Sequence, residues 1–402
     1  MRILHASLFL AQGGLEVYLH EIVRRLAALG HESAVLYGRP SPRLPPDVPA
    51  SAHFVPNVTD IGCADLPRRL AEAQAVVEVF RPDVILIHKV FQRRLVRLLA
   101  EAAPLVRFVH DVQPVCPAGL KTLNRRTASG GPELCPYPLG WGCQARAYTH
   151  RCMPRDPRIG LPLLRHLGAN LDLHRQRTPM ACPSEFIKTM LVQNGFDPAR
   201  VTVLPHFTDP PPPEACADLA ACAPPVLYAG RVHSAKGLDV LLRAMALLPP
   251  EIGLEVAGDG PDLPQVKELA ASLGLAGRVR FHGWVPRERL GALYARCAVL
   301  AVPSLCRESF CMSGIEAMAY ALPVVGADSG AISEWLENGV TGFLVPPGDA
   351  QTLAERLGQI LSSTEIAKEM GRQGRQRVEQ RFTPERHLQG LVGLLEQTVR
   401  DG

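Results

Sequence analysis

At 402 residues the chain exceeds one ordinary core, and 47% hydrophobic with 20% charged residues is a globular composition that excludes a disordered chain. A formal net charge of +4 and 5% aromatic residues disfavour nucleic-acid binding. No apolar run reaches the roughly 18 residues that crossing a bilayer takes, so the expected location is cytoplasmic, with peripheral contact to the inner face of a membrane as the refinement.

From the N-terminus, RILHASL predicts a strand running into a Gly13-Gly14 loop; His5 and Ser7 interrupt the apolar run a signal peptide needs. Strands ESAVLY, DVILIH, LVRFVH, MACPS and VTVLP follow. Between them lie helical patterns such as LPRRLAEAQAVVEVF, in which Leu66, Leu70, Ala73, Val77 and Phe80 share one face. After VTVLP, the prolines of HFTDPPPPEACADLAACAPP block helix and sheet ladder alike and predict a linker over 206–224. The rhythm then resumes with PVLYAG, GLEVAG, RVRFHG, AVLAVPS, PVVGA and GFLVP.

Strand–helix alternation of this kind predicts an α/β protein: two doubly wound, Rossmann-like domains facing across a cleft, with ligands at the carboxyl ends of the strands. The expected boundaries are 1–205, with an insertion over 112–157, and 225–383. Residues 1–205 hold 25 Lys and Arg against 16 Asp and Glu, whereas 206–402 hold 18 against 23. A basic first half suits an anionic acceptor or an anionic membrane surface, or is an uneven solvated face.

Four features of the second half suit a nucleoside diphosphate. Arg231 and Lys236 stand in the loop after PVLYA, where a guanidinium fork and an ammonium can meet two phosphates. Gly258-Asp259-Gly260-Pro261 turns after GLEVA. A helix opening near Met312, just after Phe310 and Cys311, offers free N–H groups to an anion. Glu308 and Glu316, eight positions apart, would lie roughly 12 Å apart at helical rise, suited to the two ends of an extended ligand.

The order G-R-x4-K-G, G-D-G-P, F-H-G-W-V, P-S-x3-E-S-F-x5-E-A-M-A, P-V-V and G-x2-G-F-L-V-P resembles the family-4 glycosyltransferases (glycosyl transferases group 1) of the GT-B fold, over nearly all of 220–360. The first half matches more loosely, through Gly13-Gly14 with Glu16 and through His110-Asp111. The resemblance implies a retaining transferase that moves a sugar from a UDP- or GDP-sugar to a hydroxyl on a sugar or lipid-linked glycan, in glycan, polysaccharide or glycolipid assembly. It implies that Arg231 and Lys236 bind the donor diphosphate, Glu316 the ribose and Glu308 the donor sugar, with Gly258, Phe310 and Cys311 alongside. Gly13 and Gly14 would allow close backbone approach, His110 would sit beside the donor sugar, and a C-terminal helix within 384–402 would pack back on the first domain. Cys311 replaces the family's usual glycine, and Pro205-His206-Phe207-Thr208 departs from its P-N-G-V. Epimerisation or phosphorolysis on the same fold, or a non-catalytic nucleotide-sugar module, stand as alternatives.

No Asp-x-Asp occurs, so no metal is expected for transfer. The insertion carries Cys116, Cys135, Cys143 and Cys152 in the spacing C-x18-C-x7-C-x8-C, candidates for a structural Zn2+ site or an iron–sulfur cluster, with unligated thiols as the alternative. The segment FQRRLVRLLA, with Arg93, Arg94 and Arg97, reads as a membrane-lying helix or a solvated basic face. Cys182, Cys297 and Cys306 read as core residues.

Overall fold

Short runs of Val, Ile and Leu without polar alternation become strands buried on both faces, as parallel sheets require. The structure, a computed structural model, describes residues 1–9, 14–40, 52–60, 62–126, 132–175, 178–217 and 225–402. Its contacts divide the chain into two units: Met1–Gly119, Pro136–Pro205 and Glu385–Gly402 form the first, and Leu120–Cys135 with His206–Pro384 the second.

The first unit begins with β1 (Arg2–Phe9), α1 (Gly14–Ala28), β2 (Glu32–Arg39), β3 (Ala52–Phe54) and α2 (Leu66–Phe80). It continues through β4 (Val84–Ile87), α3 (Arg93–Ala102) and β5 (Leu105–Phe108). An antiparallel hairpin of β6 (Thr122–Arg126) and β7 (Pro132–Leu134) belongs to the second unit. The chain returns with α4 (Gly142–His150), α5 (Pro157–Arg175), β8 (Met180–Cys182), α6 (Glu185–Gln193) and β9 (Val201–Val203). These strands form one parallel sheet in the order β3-β2-β1-β4-β5-β8-β9. The order reverses direction between β1 and β4, the switch point where loops at the carboxyl edge part and leave room for a ligand. Ser184 caps α6 by accepting from the Ile187 N–H at 3.3 Å.

The second unit runs β10 (Val226–Ala229), α7 (Leu238–Leu247), β11 (Leu254–Ala257), α8 (Leu263–Ser272), β12 (Val279–Gly283) and α9 (Arg287–Arg296). It continues with β13 (Val299–Val302), α10 (Met312–Ala319), β14 (Val324–Ala327), α11 (Ile332–Trp335) and β15 (Gly342–Val345). Helices α12 (Ala350–Leu361) and α13 (Thr364–Arg381) follow, and α14 (Pro384–Asp401) lies, from Glu385, in the first unit. The six strands are parallel in the order β12-β11-β10-β13-β14-β15, with the switch point between β10 and β13. One continuous core joins Leu227, Val256, Leu300, Val325 and Trp335.

All twelve strands read from the sequence are present; β3 and the β6–β7 hairpin are additional. A three-residue edge strand is too short to show a period, and TLNRR is polar. The proline-rich stretch is anchored through residue 217: Phe207 and Thr208 are buried, the Thr208 N–H donates to the Phe382 carbonyl at 3.0 Å, and Arg375 donates to the Pro211 carbonyl at 2.8 Å. Residues 218–224 lie outside the described residues.

Candidate active site

In the second unit, the loops after β10, β11 and β13 gather the predicted donor residues at one carboxyl edge. Lys236 donates to both carboxylate oxygens of Glu308, at 2.7 and 2.9 Å. Glu308 is buried, takes a hydrogen bond from the Ser304 hydroxyl, and is held by a β-bridge to Gly330. Burial alone would lower the Lys236 pKa; the Glu308 charge outweighs it and raises the value well above an ordinary lysine, so the ammonium persists at neutral pH. With three N–H donors and one carboxylate partner, it keeps a donor for a further oxygen. Arg231 is exposed and has no side-chain partner among the described residues. Its backbone carbonyl is fixed by the Tyr228 hydroxyl at 2.8 Å.

Two glycines let the backbones close on each other here. A Cβ on Gly258 would stand 1.8 Å from the Gly230 carbonyl oxygen, and one on Gly237 (φ 69°) would stand 2.0 Å from that of Pro303. Only glycine brings the β10, β11 and β13 loops this close.

Cys311 is the N-cap of α10 with φ 75°, in the left-handed region, and no side chain caps the first N–H groups of that helix. The backbone thus takes the conformation a glycine favours, while the side chain carries a thiol whose pKa burial pushes up to about 11. The entry to α10 is fastened from below. The buried indole of Trp335 donates to the Phe310 carbonyl and fills the space beside Gly314, where a Cβ would meet its ring at 2.1 Å.

Glu308 precedes α10, so the helical-rise estimate of its distance from Glu316 does not apply; only Met312 to Glu316 lies on the helix. Glu316 accepts from the Tyr294 hydroxyl at 3.0 Å and faces Arg287 at 4.0 Å. Tyr294, Arg287, Ser304, Tyr228 and Trp335 were not singled out from the sequence. The only sequence signal for any of them is Gly314, a glycine inside a helical pattern that makes room for the indole.

In the first unit, His110 follows β5 and its Nε2 lies 3.0 Å from His88 Nδ1, while His88 Nε2 lies 3.3 Å from His5 Nδ1. His5 and His88 are buried, and burial holds His5 to about 3 and His88 well below the ordinary histidine value, so both are neutral. Asp111 is engaged otherwise: it pairs with Lys89 at 3.1 Å and accepts from the Gln113 N–H at 2.8 Å. His387 of α14 bonds to the Pro205 carbonyl through Nδ1 at 2.7 Å and to the Tyr18 hydroxyl through Nε2 at 2.8 Å. A carbonyl only accepts, so Nδ1 carries the proton and Tyr18 donates. Gly14 opens α1, and Gly13 lies outside the described residues.

The four-cysteine metal site is not assembled. Among the described residues no three His, Cys, Asp or Glu side chains are grouped to hold a metal, and none of Cys116, Cys135, Cys143 and Cys152 is in a disulfide. Cys116 is absorbed into a core with Val112, Val115 and Cys182; Cys143 and Cys152 pack beside Ala147, Met153 and Leu164; Cys135 ends the hairpin segment of the second unit. Spacing alone had suggested ligands, but apolar packing accounts for three of them. Cys182 and Cys297 are fully buried, as expected of core residues, and Cys306 is partly buried. No helix among the described residues is long and apolar enough to cross a membrane.

Comparison with known proteins shows the family. Residues 223–377 match the family model of glycosyl transferases group 1, and residues 12–210 that of glycosyltransferase family 4. The chain is 30% identical over 380 residues to a D-inositol 3-phosphate glycosyltransferase of Xylanimonas cellulosilytica, covering 87% of this chain and 84% of that protein. It is 29% identical to one from Streptomyces griseus, covering 89% and 79%. Among solved structures, the Anabaena protein HepE in complex with UDP and glucose superposes with a TM-score of 0.75 at 19% identity, covering 99% of this chain and 100% of that one. A sucrose-phosphate synthase from Thermosynechococcus elongatus gives 0.74 at 20%, covering 100% of both. With both halves matched, the chain belongs to the family-4 glycosyltransferases of the GT-B fold and is a glycosyltransferase.

Proposed function

We propose that this transferase takes its sugar from a nucleotide diphosphate donor, UDP- or GDP-linked, and places it with retained configuration on a hydroxyl of a sugar or lipid-linked glycan. The observation that carries this reading is the cationic edge of the second unit. Lys236 is oriented by buried Glu308 and lies within electrostatic reach of Cys311 at the uncapped start of α10, and Arg231 of the same loop is left unpartnered among the described residues. Two cations and a helix N-terminus can offset the charge of a diphosphate without a metal ion. Glu316, fixed by Tyr294, serves the ribose; Glu308 serves the donor sugar; Gly258, Phe310 and Cys311 shape the diphosphate's surroundings.

In the first unit, His110, oriented by His88, is the group offered to the transfer, and Gly13 and Gly14 form the backbone approach. With Asp111 committed to Lys89 and Gln113, no first-unit carboxylate is assigned as a nucleophile, and a front-face path fits better. The acceptor oxygen bonds to the anomeric carbon on the face the diphosphate leaves. The broken C–O bond's electron pair goes to the phosphate oxygen, which also takes the hydroxyl proton. Rate then comes from alignment and from charge stabilisation on the leaving group.

The domain roles follow: an acceptor domain over 1–205 joined by the C-terminal helix, and a donor domain over 225–383. Peripheral contact with the inner face of a membrane suits the first unit's positive charge. The relatives' named acceptor makes a phosphorylated polyol a natural first candidate. The test is a screen of UDP- and GDP-sugars following nucleotide release with and without acceptors, repeated in EDTA. Acceptor-dependent release that survives EDTA is expected; release of free sugar phosphate in inorganic phosphate, or epimerised donor alone, overturns the reading.

A further inference from the structure

Helix α3 begins in a way that local physics disfavours. Arg93, Arg94 and Arg97 occupy its first two turns, with no acidic residue in the first turn to complement the helix dipole. Arg93 and Arg97 stand at i, i+4 and Arg94 and Arg97 at i, i+3, so like charges are stacked on one another. All three are exposed, and none has a carboxylate or hydrogen-bond partner for its side chain among the described residues. The nearby acids are spoken for or absent: Asp60 pairs with Arg39 at 2.8 Å, and Glu101, one turn beyond Arg97, makes no ion pair with it.

These guanidiniums do not stand on a featureless face. They line a cleft of about 420 Å3, together with Leu66 at the start of α2, Gln92, and His166 from α5. Two of these lining residues, Gln92 and His166, are held by hydrogen bonds. Gln92 is buried, donates to the Asp60 carbonyl at 2.9 Å and accepts from the Arg94 N–H. The Phe91 carbonyl receives both His166 Nε2 and the Asn170 amide, and buried Arg107 donates to the Val90 carbonyl at 3.0 Å. Because His166 Nε2 must carry the proton it gives to Phe91, its Nδ1 is an acceptor. Three guanidinium forks unpaired among the described residues and one imidazole acceptor present donors for a phosphate and an acceptor for a neighbouring hydroxyl.

We propose that this cleft is a phosphate subsite, in which Arg93, Arg94 and Arg97 clamp a phosphomonoester group of the ligand. Resting on the transferase reading, it assigns the acceptor to the class of phosphate-bearing hydroxyl compounds. Arg93 stands five positions after His88, the partner of His110, a reach of at most about 18 Å for extended chain. The phosphate would therefore be gripped within one small molecule's or one headgroup's length of the transfer machinery.

The test modifies the full chain with phenylglyoxal, maps the modified arginines by mass spectrometry, and asks what protects them. Inorganic phosphate and glycerol phosphate should protect Arg93, Arg94 and Arg97, and sodium chloride at equal ionic strength should not. Replacing any one of the three with Gln should weaken phosphate protection of the other two about tenfold, the loss of one charge-assisted contact. Vesicles of phosphatidylcholine with and without phosphatidic acid separate the sources. Protection only by phosphatidic acid vesicles places the phosphate on a lipid headgroup; protection by the soluble compounds places it on a free acceptor. Equal protection by chloride, or no protection by any phosphate, overturns the subsite. None of these measurements involves turnover, so failure of the transferase reading leaves protection intact and failure of the subsite leaves donor cleavage intact.

Discussion

The two units share a parallel sheet and differ in what they bury. In the second, the interior is a continuous apolar core; buried Glu308 meets Lys236 at the carboxyl edge, buried Glu255 meets Arg296, and His206 is the one imidazole buried among the described residues. The first buries His5, His88 and His387 among its strands and helices, with the Tyr18 and Phe108 rings beside them. An apolar core is indifferent to pH, whereas neutral imidazoles are stable only while they stay unprotonated. The second unit, with one buried imidazole against three, should therefore tolerate acid better than the first.

Acid unfolding tests this contrast most strongly. Burial holds His5 to about 3, and holds His387 to about 4 despite the opposing Pro205 carbonyl, while unfolding returns both to near 6.5. Between those values the unfolded chain binds protons that the folded unit refuses. Stability is thus lost as pH falls below about 6.5, by about 1.4 kcal/mol per pH unit for each imidazole. His88 adds in the same sense. Urea unfolding followed between pH 7 and pH 4 should show the first unit's transition moving to lower urea ahead of the second's. His5→Leu should flatten that slope by one imidazole's share. A slope unchanged in His5→Leu would show that His5 titrates normally in the folded unit.

The second contrast concerns the charged edge. Lys236→Met should lower kcat/KM by about 10²- to 10³-fold, the loss of one donor to the leaving group. It should also destabilise the second unit by about 2–4 kcal/mol, because buried Glu308 loses its counter-charge, an amount reduced by the lysine's partial exposure. Lys236→Met with Glu308→Gln should regain most of that stability and none of the activity. If the double variant recovers turnover, the ammonium serves the fold alone. The native pair should also weaken at alkaline pH, since a lysine raised by its partner stabilises fully only below its unfolded pKa.

These two regions were unequally legible in the sequence. The donor edge was readable because its parts are local: a glycine and cations after one strand, a helix start after another, in an order that survives without knowledge of packing. The imidazole chain was not, because His5, His88 and His110 meet only when β1, β4 and β5 lie side by side, and strand order is not written in hydrophobic period. Tyr294 is hidden for a similar reason: it reaches Glu316 from α9, across a strand and a loop. The cysteine spacing misled because a pattern of thiols says nothing about which will be claimed by a core, as Cys116 is.

A glycine-to-alanine exchange probes how tightly the donor loops are drawn. The Cβ of Gly258→Ala would collide with the Gly230 carbonyl, which cannot rotate away as a side chain would. The β10 and β11 loops must separate, at a cost of about 1–3 kcal/mol. Melting of the second unit should fall by several degrees and nucleotide affinity should fall with it, while the first unit's melting stays in place. An unshifted melting profile would mean that the contact relaxes freely.

The smallest effect is the most pointed, because it concerns the one position where the chain departs from the family inside its donor edge. Cys311 holds φ 75° with a Cβ, a conformation that costs a non-glycine residue about 1–2 kcal/mol. Cys311→Gly removes that strain, but gives the unfolded chain more freedom and gives up the packing of a partly buried side chain. The net expectation is a gain of at most about 1 kcal/mol, read as a rise of a few degrees in the second unit's melting temperature. Activity separates two reasons for the cysteine. If the side chain merely occupies a tolerated position, the glycine variant should match or exceed the native kcat/KM with every donor. If the thiol trims the space beside the diphosphate, the variant should accept a wider range of nucleotide sugars, and the ratio of kcat/KM between donors should move while stability still rises.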